Sequence, residues 1–530
     1  MTFVSVPFLI LLLAADLLYY LFPLRHRWLV LLAASLVFYA VNSGLLTLVL
    51  VATAALVYAG GRMIHARLFS YKTLLEQEPS LTKEEKKSAR DRSKKQAKQV
   101  LTLFVLVILG ILLFLKYSNF FAGTAVSLFT GGKGVYSPMK LLLPLGISFY
   151  TLQAISYLVD ISRGKADPEK DPLRLLLYLC FFPQIVQGPI PRYRDLGPQL
   201  AEGHPFDPDG FCRGLQLILW GFMKKLIIAD RIATPVSAIF SAPENYSGVM
   251  AFLGAAFYGI QVYADFSGGM DIALGAAQTF GITLTPNFTQ PYFSTSVEDF
   301  WRRWHITLGA WMKDYIFYPL SLSKAFGSLS QKARKLVGPS LGKKLPSILA
   351  MFIVYFLVGI WHGPQWTYIL YGIWNGIFIV GGLLLPDLYE KGRRLFRIDE
   401  DSASWRVFRM IRTFWIISVG RFFSRAKDTA TAFAMIGSMF HNWYDLSPIS
   451  DGALLGLGLE GPDWIVLAVA VLVLLYTDNL HEKGVKIRES ISRQPLIFRW
   501  LIYYIAILLV LIFGIYGPGY VSGNFIYEQF

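Results

Sequence analysis

A chain of 530 residues with 50 Lys and Arg against 35 Asp and Glu carries a formal charge of +15. Hydrophobic residues make up 54%, charged residues only 16%, and the mean hydropathy is +0.47. Soluble domains carry about 25% charged residues, so the composition excludes an array of ordinary soluble domains. The positive excess would suggest nucleic acid in a soluble chain; here a membrane origin is tested first.

A helix that spans the bilayer needs roughly 20 mainly apolar residues. Stretches 3–22, 100–115, 139–159, 348–360, 368–385, 464–476 and 501–516 reach or approach that length, and 28–39 is a shorter one. Solid apolar runs, without the alternation of a transmembrane β-barrel, predict an all-α polytopic membrane protein with about 10–13 membrane segments. The N-terminus lacks a basic region and a small-residue cleavage site, so it reads as a retained first helix. Cys180 and Cys212 form no CxxC pair and read as two reduced thiols.

Basic residues concentrate in short cytoplasmic loops. If the first helix runs from outside to inside, the loops at 25–27, 62–98 and 163–174 are cytoplasmic and hold 17 Lys and Arg. The loops around 42–44 and 116–140 then hold 3. That ratio places the N-terminus outside. Loop 62–98 mixes both signs, as in Lys83-Glu84-Glu85-Lys86-Lys87, and offers only Phe69 and Tyr71 for stacking. It reads as a solvated helix near anionic lipid, and no nucleic-acid partner is expected.

From 143 to 375 polar residues, Gly and Pro interrupt apolar sequence. Block 143–150 is followed by block 182–193, which contains Gln187, Pro189 and Arg192. A third block, 265–271, contains Asp265, Ser267 and Asp271. Irregular backbone and ionisable groups at membrane depth are costly and default to functional-site hypotheses. The next block holds Arg302, Arg303, Trp304 and His305 and runs on to Asp314 and Tyr315. Phe300, Trp304, Leu308, Trp311 and Tyr315 recur at steps of three and four, predicting one amphipathic helix at the membrane interface. Ser294 or Ser296 would cap it. Finally, Trp361-His362-Gly363-Pro364 ends an apolar run, with Gly-Pro stopping or kinking the helix. A histidine there, with an ordinary pKa near ~6.5, suits general-base work.

Other motifs carry less. Gly338-Pro339-Ser340-Leu341-Gly342 matches the GxSxG nucleophile elbow, but that motif needs a strand before it, and here it lies between basic residues Lys335 and Lys343. His441 and Asp445 stand four apart without further support. There is no HExxH or P-loop, so no metal site and no bound cofactor is expected.

Taken in order, these blocks resemble the membrane-bound O-acyltransferase superfamily, in particular its bacterial alginate and peptidoglycan O-acetyltransferase branch. The aromatic tail 525–530 is similar to that of alginate-type members. The resemblance implies a helical bundle with a central tunnel. It implies an acyl thioester donor, such as acetyl-CoA or an acylated carrier protein, entering from the cytoplasm, and an acceptor hydroxyl on the other face. It also implies His362 as catalytic base and His305 as its upstream partner. Trp361, Trp304, Arg302, Arg303, Asp314, Tyr315, Asn375, Gln187, Pro189, Arg192, Asp265, Ser267 and Asp271 become substrate-binding candidates, and an extracytoplasmic acyltransferase becomes a candidate partner. Two departures stand out. Gly269-Met270 replaces the Tyr-Ser frequent in relatives, and Asn375 stands where many have a histidine. The expected organisation is N-terminal helices over 1–135, a catalytic core over 136–385 and C-terminal helices with the tail over 386–530. A D-alanyl transferase of teichoic acid, fed by a carrier protein, and a transporter or flippase are the competing readings.

Overall fold

The computed structural model describes residues 1–78 and 80–517. The tail 525–530 lies outside them. The described chain is helical, and its one extended pairing is an isolated antiparallel bridge between Phe288 and Trp304. Seven helical runs among the described residues are long and apolar enough to cross a membrane: Leu24–Gln77, Lys83–Phe129, Gly248–Thr279, Pro339–His362, Trp366–Leu384, Gly461–Glu482 and Leu496–Phe513. The first is bent at Gly44, whose φ of +53° suits glycine, so it contains two consecutive helices. Val6–Leu21 is a shorter apolar helix. The chain is thus an all-α polytopic membrane protein.

Contacts divide the chain into two units that interleave in sequence. The first comprises Met1–Leu215 and Ala273–Thr285, the second Gln216–Ile272 and Pro286–Phe530.

In the first unit, Phe3, Phe8, Phe38, Phe182 and Phe280 form a buried aromatic cluster with ring centroids 5.0–6.3 Å apart. The apolar stretch expected over 139–159 is helical only from Ile147 to Ser162. Pro144 and Gly146 account for the late start. Gly146 takes φ +67°, and a Cβ there would lie 2.3 Å from the Ile185 carbonyl oxygen, so glycine is required. The basic loop 62–98 continues two helices, Thr47–Gln77 and Lys83–Leu112. A capping box between Thr82 and Glu85 starts the second.

In the second unit, Pro339–His362 packs closely on Trp366–Leu384. A Cβ on Gly372 would lie 2.3 Å from the Tyr355 carbonyl oxygen, and one on Gly359 2.5 Å from that of Tyr368. Small residues let the two backbones approach, as in other membrane helix pairs. The Gly338–Gly342 motif opens the Pro339–His362 helix and follows the helix Lys324–Val337. It lacks the strand that a nucleophile elbow needs.

Candidate active site

His362 is the last residue of Pro339–His362. Gly363 ends the helix as expected, and a Cβ there would meet the Tyr368 ring at 2.5 Å. Pro364 then removes a backbone donor and the chain reverses into Trp366–Leu384. The break is therefore covalently dictated, and it leaves His362 buried at a helix end. Its ring lies 5.7 Å from Tyr371, edge-on, and stacks at 6.3 Å on Tyr368.

His305 departs from the expected continuous helix. The chain forms Val297–Arg303, breaks, and resumes as Ile306–Met312. Ser296 caps the first piece by accepting from the Asp299 amide. Between the pieces His305 adopts φ +48° and ψ +52°, a left-handed conformation that histidine tolerates better than most residues. The break is held from outside. Asn287 and Thr289 run alongside: the Thr289 amide donates to the Arg303 carbonyl (3.1 Å) and the Ile306 amide to the Asn287 carbonyl (3.0 Å). Asn287 Oδ1 accepts from both the amide and the hydroxyl of Thr307, each at 2.8 Å. The periodicity was sound for each half, but it could not show that a neighbouring segment outcompetes the helix at residue 305.

The break turns His305 inward, where it is 1% exposed. Phe266 meets its ring edge-on at 5.0 Å, and Trp361 lies 5.7 Å away. Trp361 is in turn 5.2 Å from the His362 ring. Two histidines 57 positions apart thus share one buried aromatic site. Burial holds the His305 imidazole well below its ordinary pKa, and the neighbouring His362 adds to the effect, so His305 is neutral near pH 7.

Met270 and Asn375 both have a structural role. Asn287 Nδ2 donates to Met270 Sδ at 3.7 Å, so Met270 steadies the residue that pins His305. Asn375 Oδ1 accepts from the Trp301 indole at 3.2 Å, and its Nδ2 donates to the Tyr371 carbonyl at 2.8 Å. Asn375→Leu would strand the indole N–H, at a cost of roughly 1–3 kcal/mol. A lower Tm than that of Asn375→His, whose ring keeps a polar edge, is the expected result in a thermal melt.

Other candidates are placed differently. Trp304 is buried and stacks on Phe300 at 5.3 Å. Arg302 is exposed and 3.8 Å from Glu298. Arg303 pairs with Asp299 at 3.2 Å and with Glu482 at 2.6 Å, so it ties the His305 segment to the Gly461–Glu482 helix. Asp314 and Tyr315 lie in a widened helical turn, Lys313–Phe317, where Tyr315 packs on Trp311 at 5.1 Å. Gln187, Pro189 and Arg192 belong to the first unit and are all buried there. The Tyr178 hydroxyl donates to the Pro191 carbonyl beside them.

Asp265, Ser267 and Asp271 are engaged by two lysines on a second widened turn, Met223–Ala229. Lys225 Nζ lies 2.7 Å from Asp265 and 3.0 Å from Asp230; Lys224 Nζ lies 2.5 Å from Asp271 and 2.9 Å from Ser267. These groups form a buried ionic network on the helix that presents Phe266 to His305. The lysine pair was a legible signal, two cations in an apolar run, but its partners Asp265 and Asp271, 40 and 47 residues away, were not.

Arg421 also escaped sequence reasoning. It is 2% exposed, and its guanidinium lies 4.7 Å from the centre of the Trp304 ring and 5.8 Å from that of Tyr292. Nη1 donates to the Gly259 carbonyl at 2.8 Å and to the Tyr292 hydroxyl at 2.6 Å. A buried cation held among aromatic faces, a carbonyl and the Tyr292 hydroxyl fixes the layer that carries His305.

Comparison with known proteins identifies the family. Residues 169–333 match MBOAT, the membrane-bound O-acyltransferase family. A probable alginate O-acetylase of Azotobacter vinelandii is 33% identical over 345 residues, which is 65% of this chain and 63% of the relative, so the chain spans less than two thirds of that protein. The corresponding Pseudomonas syringae pv. tomato protein is 32% identical over 395 residues, 74% of this chain and 70% of the relative. A peptidoglycan O-acetyltransferase of Helicobacter pylori is 30% identical over 365 residues, 64% of each chain. With identity of this extent over more than two thirds of a relative, and a polytopic helical scaffold, the chain belongs to the membrane-bound O-acyltransferase family.

Proposed function

We propose that this O-acyltransferase moves an acyl group, acetyl by analogy with its relatives, from a cytoplasmic thioester to a hydroxyl of an extracytoplasmic polysaccharide or wall polymer. The observation that carries the reading is the buried pair His305 and His362 joined through Trp361. His362 takes the proton of the acceptor hydroxyl as its oxygen attacks the thioester carbonyl. The tetrahedral intermediate collapses, the C–S bond breaks, and the imidazolium returns its proton to the leaving thiolate. The products are an ester and a thiol, and no redox partner is needed. His305, neutral and held by Asn287 through its neighbours, orients the reacting groups and stabilises developing negative charge.

The relatives' names favour a glycan acceptor, since they act on alginate or peptidoglycan. The excess of basic residues in loops 25–27, 62–98 and 163–174 favours an extracytoplasmic N-terminus and a cytoplasmic approach for an anionic donor. The test uses purified protein in liposomes supplied with acetyl-labelled coenzyme A thioester and a cell-surface glycan fraction. Label appearing in alkali-labile ester on the glycan supports the reading. Passage of unmodified glycan without ester formation overturns it in favour of a transporter.

A further inference from the structure

The second unit contains a cavity of about 320 Å³ that is separate from the histidine site. It lies between Gly461–Glu482, Leu496–Phe513 and the segment around the widened turn Met223–Ala229. Its walls include Trp220, Met223, Val473 and Leu509. Its polar lining residues are Gln216, Thr477, His481, Arg488 and Tyr503, and His481 and Arg488 lie within electrostatic reach of each other. The rest of the lining is almost wholly apolar.

Three observations say what fits this cavity. First, two of its walls are helices of membrane-spanning length and hydropathy, and Leu496–Phe513 is scarcely covered by protein. The surrounding phase is therefore lipid. Second, the charge is lopsided along Gly461–Glu482. The segment following it, 483–499, carries five Lys and Arg against one acidic residue, whereas 440–463 carries no Lys or Arg and four acidic residues. By the positive-inside tendency the Arg488 end faces the cytoplasm, where the leaflet is anionic. Third, a volume near the lower end of the ~300–1,000 Å³ range of ligand pockets suits one acyl chain. Basic pockets between membrane helices on that side bind anionic lipid headgroups.

We propose that the cavity binds one anionic phospholipid of the cytoplasmic leaflet, with an acyl chain between the two helices and its phosphate against Arg488 and His481. The Gln216 Nε2 to Tyr503 hydrogen bond of 2.8 Å bridges two walls of the cavity and closes its polar side. A chain seated there packs on Met223, the first residue of the turn that carries Lys224 and Lys225. The inference does not depend on the acyl-transfer reading, because lipid retention is measured without turnover.

The test is native mass spectrometry of the full-length protein in mixed micelles holding phosphatidylglycerol or phosphatidylcholine. The wild-type protein is expected to retain one phosphatidylglycerol and to retain phosphatidylcholine more weakly. Arg488→Gln is expected to weaken phosphatidylglycerol retention about fivefold, the loss of one basic contact at a membrane surface, and to leave phosphatidylcholine unchanged. Ala506→Phe fills the chain site and is expected to reduce retention of both lipids. A thermal melt confirms that each variant is folded. Equal retention of the two lipids by the wild-type protein, or undiminished retention in both folded variants, would leave only annular lipid and overturn the proposal.

Discussion

Replacing His362 with alanine is expected to lower acyl transfer by roughly 10²–10⁴-fold, the usual worth of positioned proton transfer, with little change in Tm. The helix already ends at Gly363 whatever side chain occupies 362, so the scaffold does not need the imidazole. His305 calls for a different substitution. Its left-handed backbone would strain alanine, so a loss in His305→Ala would mix chemistry with folding. Asparagine adopts that conformation readily. His305→Asn should therefore fold like the wild-type protein and still lose most activity. Full activity in folded His362→Ala would remove it as the base, and full activity in His305→Asn would reduce His305 to a backbone role.

The largest stability effect is expected at Lys225. It is 2% exposed and faces both Asp265 and Asp230. Lys225→Met leaves buried carboxylates without their cation, which typically costs 3–5 kcal/mol. The expected outcome is a strongly lowered Tm and poor recovery from detergent. The companion Lys225→Met/Asp265→Leu, which removes the closest pair together, should recover part of the loss, because a buried ion pair replaced by apolar groups is often neutral. If the double variant were no better than the single, the loss would come from the Asp230 carboxylate left without Lys225.

Much of the architecture was legible because membrane helices declare themselves by length and hydropathy. The end of Pro339–His362 was legible too, since Gly363 and Pro364 force it locally. The break at His305 was not. It is imposed by Asn287 and Thr289, which sit 14 to 20 residues upstream of the groups they bind. The fate of Asp265 and Asp271 was hidden for the same reason: burial could be inferred from their flanks, but their lysine partners come from another helix. Arg421 carried no motif at all, and only the aromatic faces around it reveal why a cation stands there.

The widened turn Met223–Ala229 has a consequence for how this chain tolerates insertion and deletion. A π turn holds one residue more than an α turn, so it acts as a phase shifter between Pro208–Phe222 and Asp230–Ser241. That shift lets consecutive lysines address partners on the same neighbouring helix. Deleting one residue within 223–229 would restore a regular screw, yet it would rotate Asp230 and Arg231 by about 100°, given 3.6 residues per turn. Arg231 would lose Asp463 and the Phe513 carbonyl together. In this segment the number of residues is as constrained as their identity.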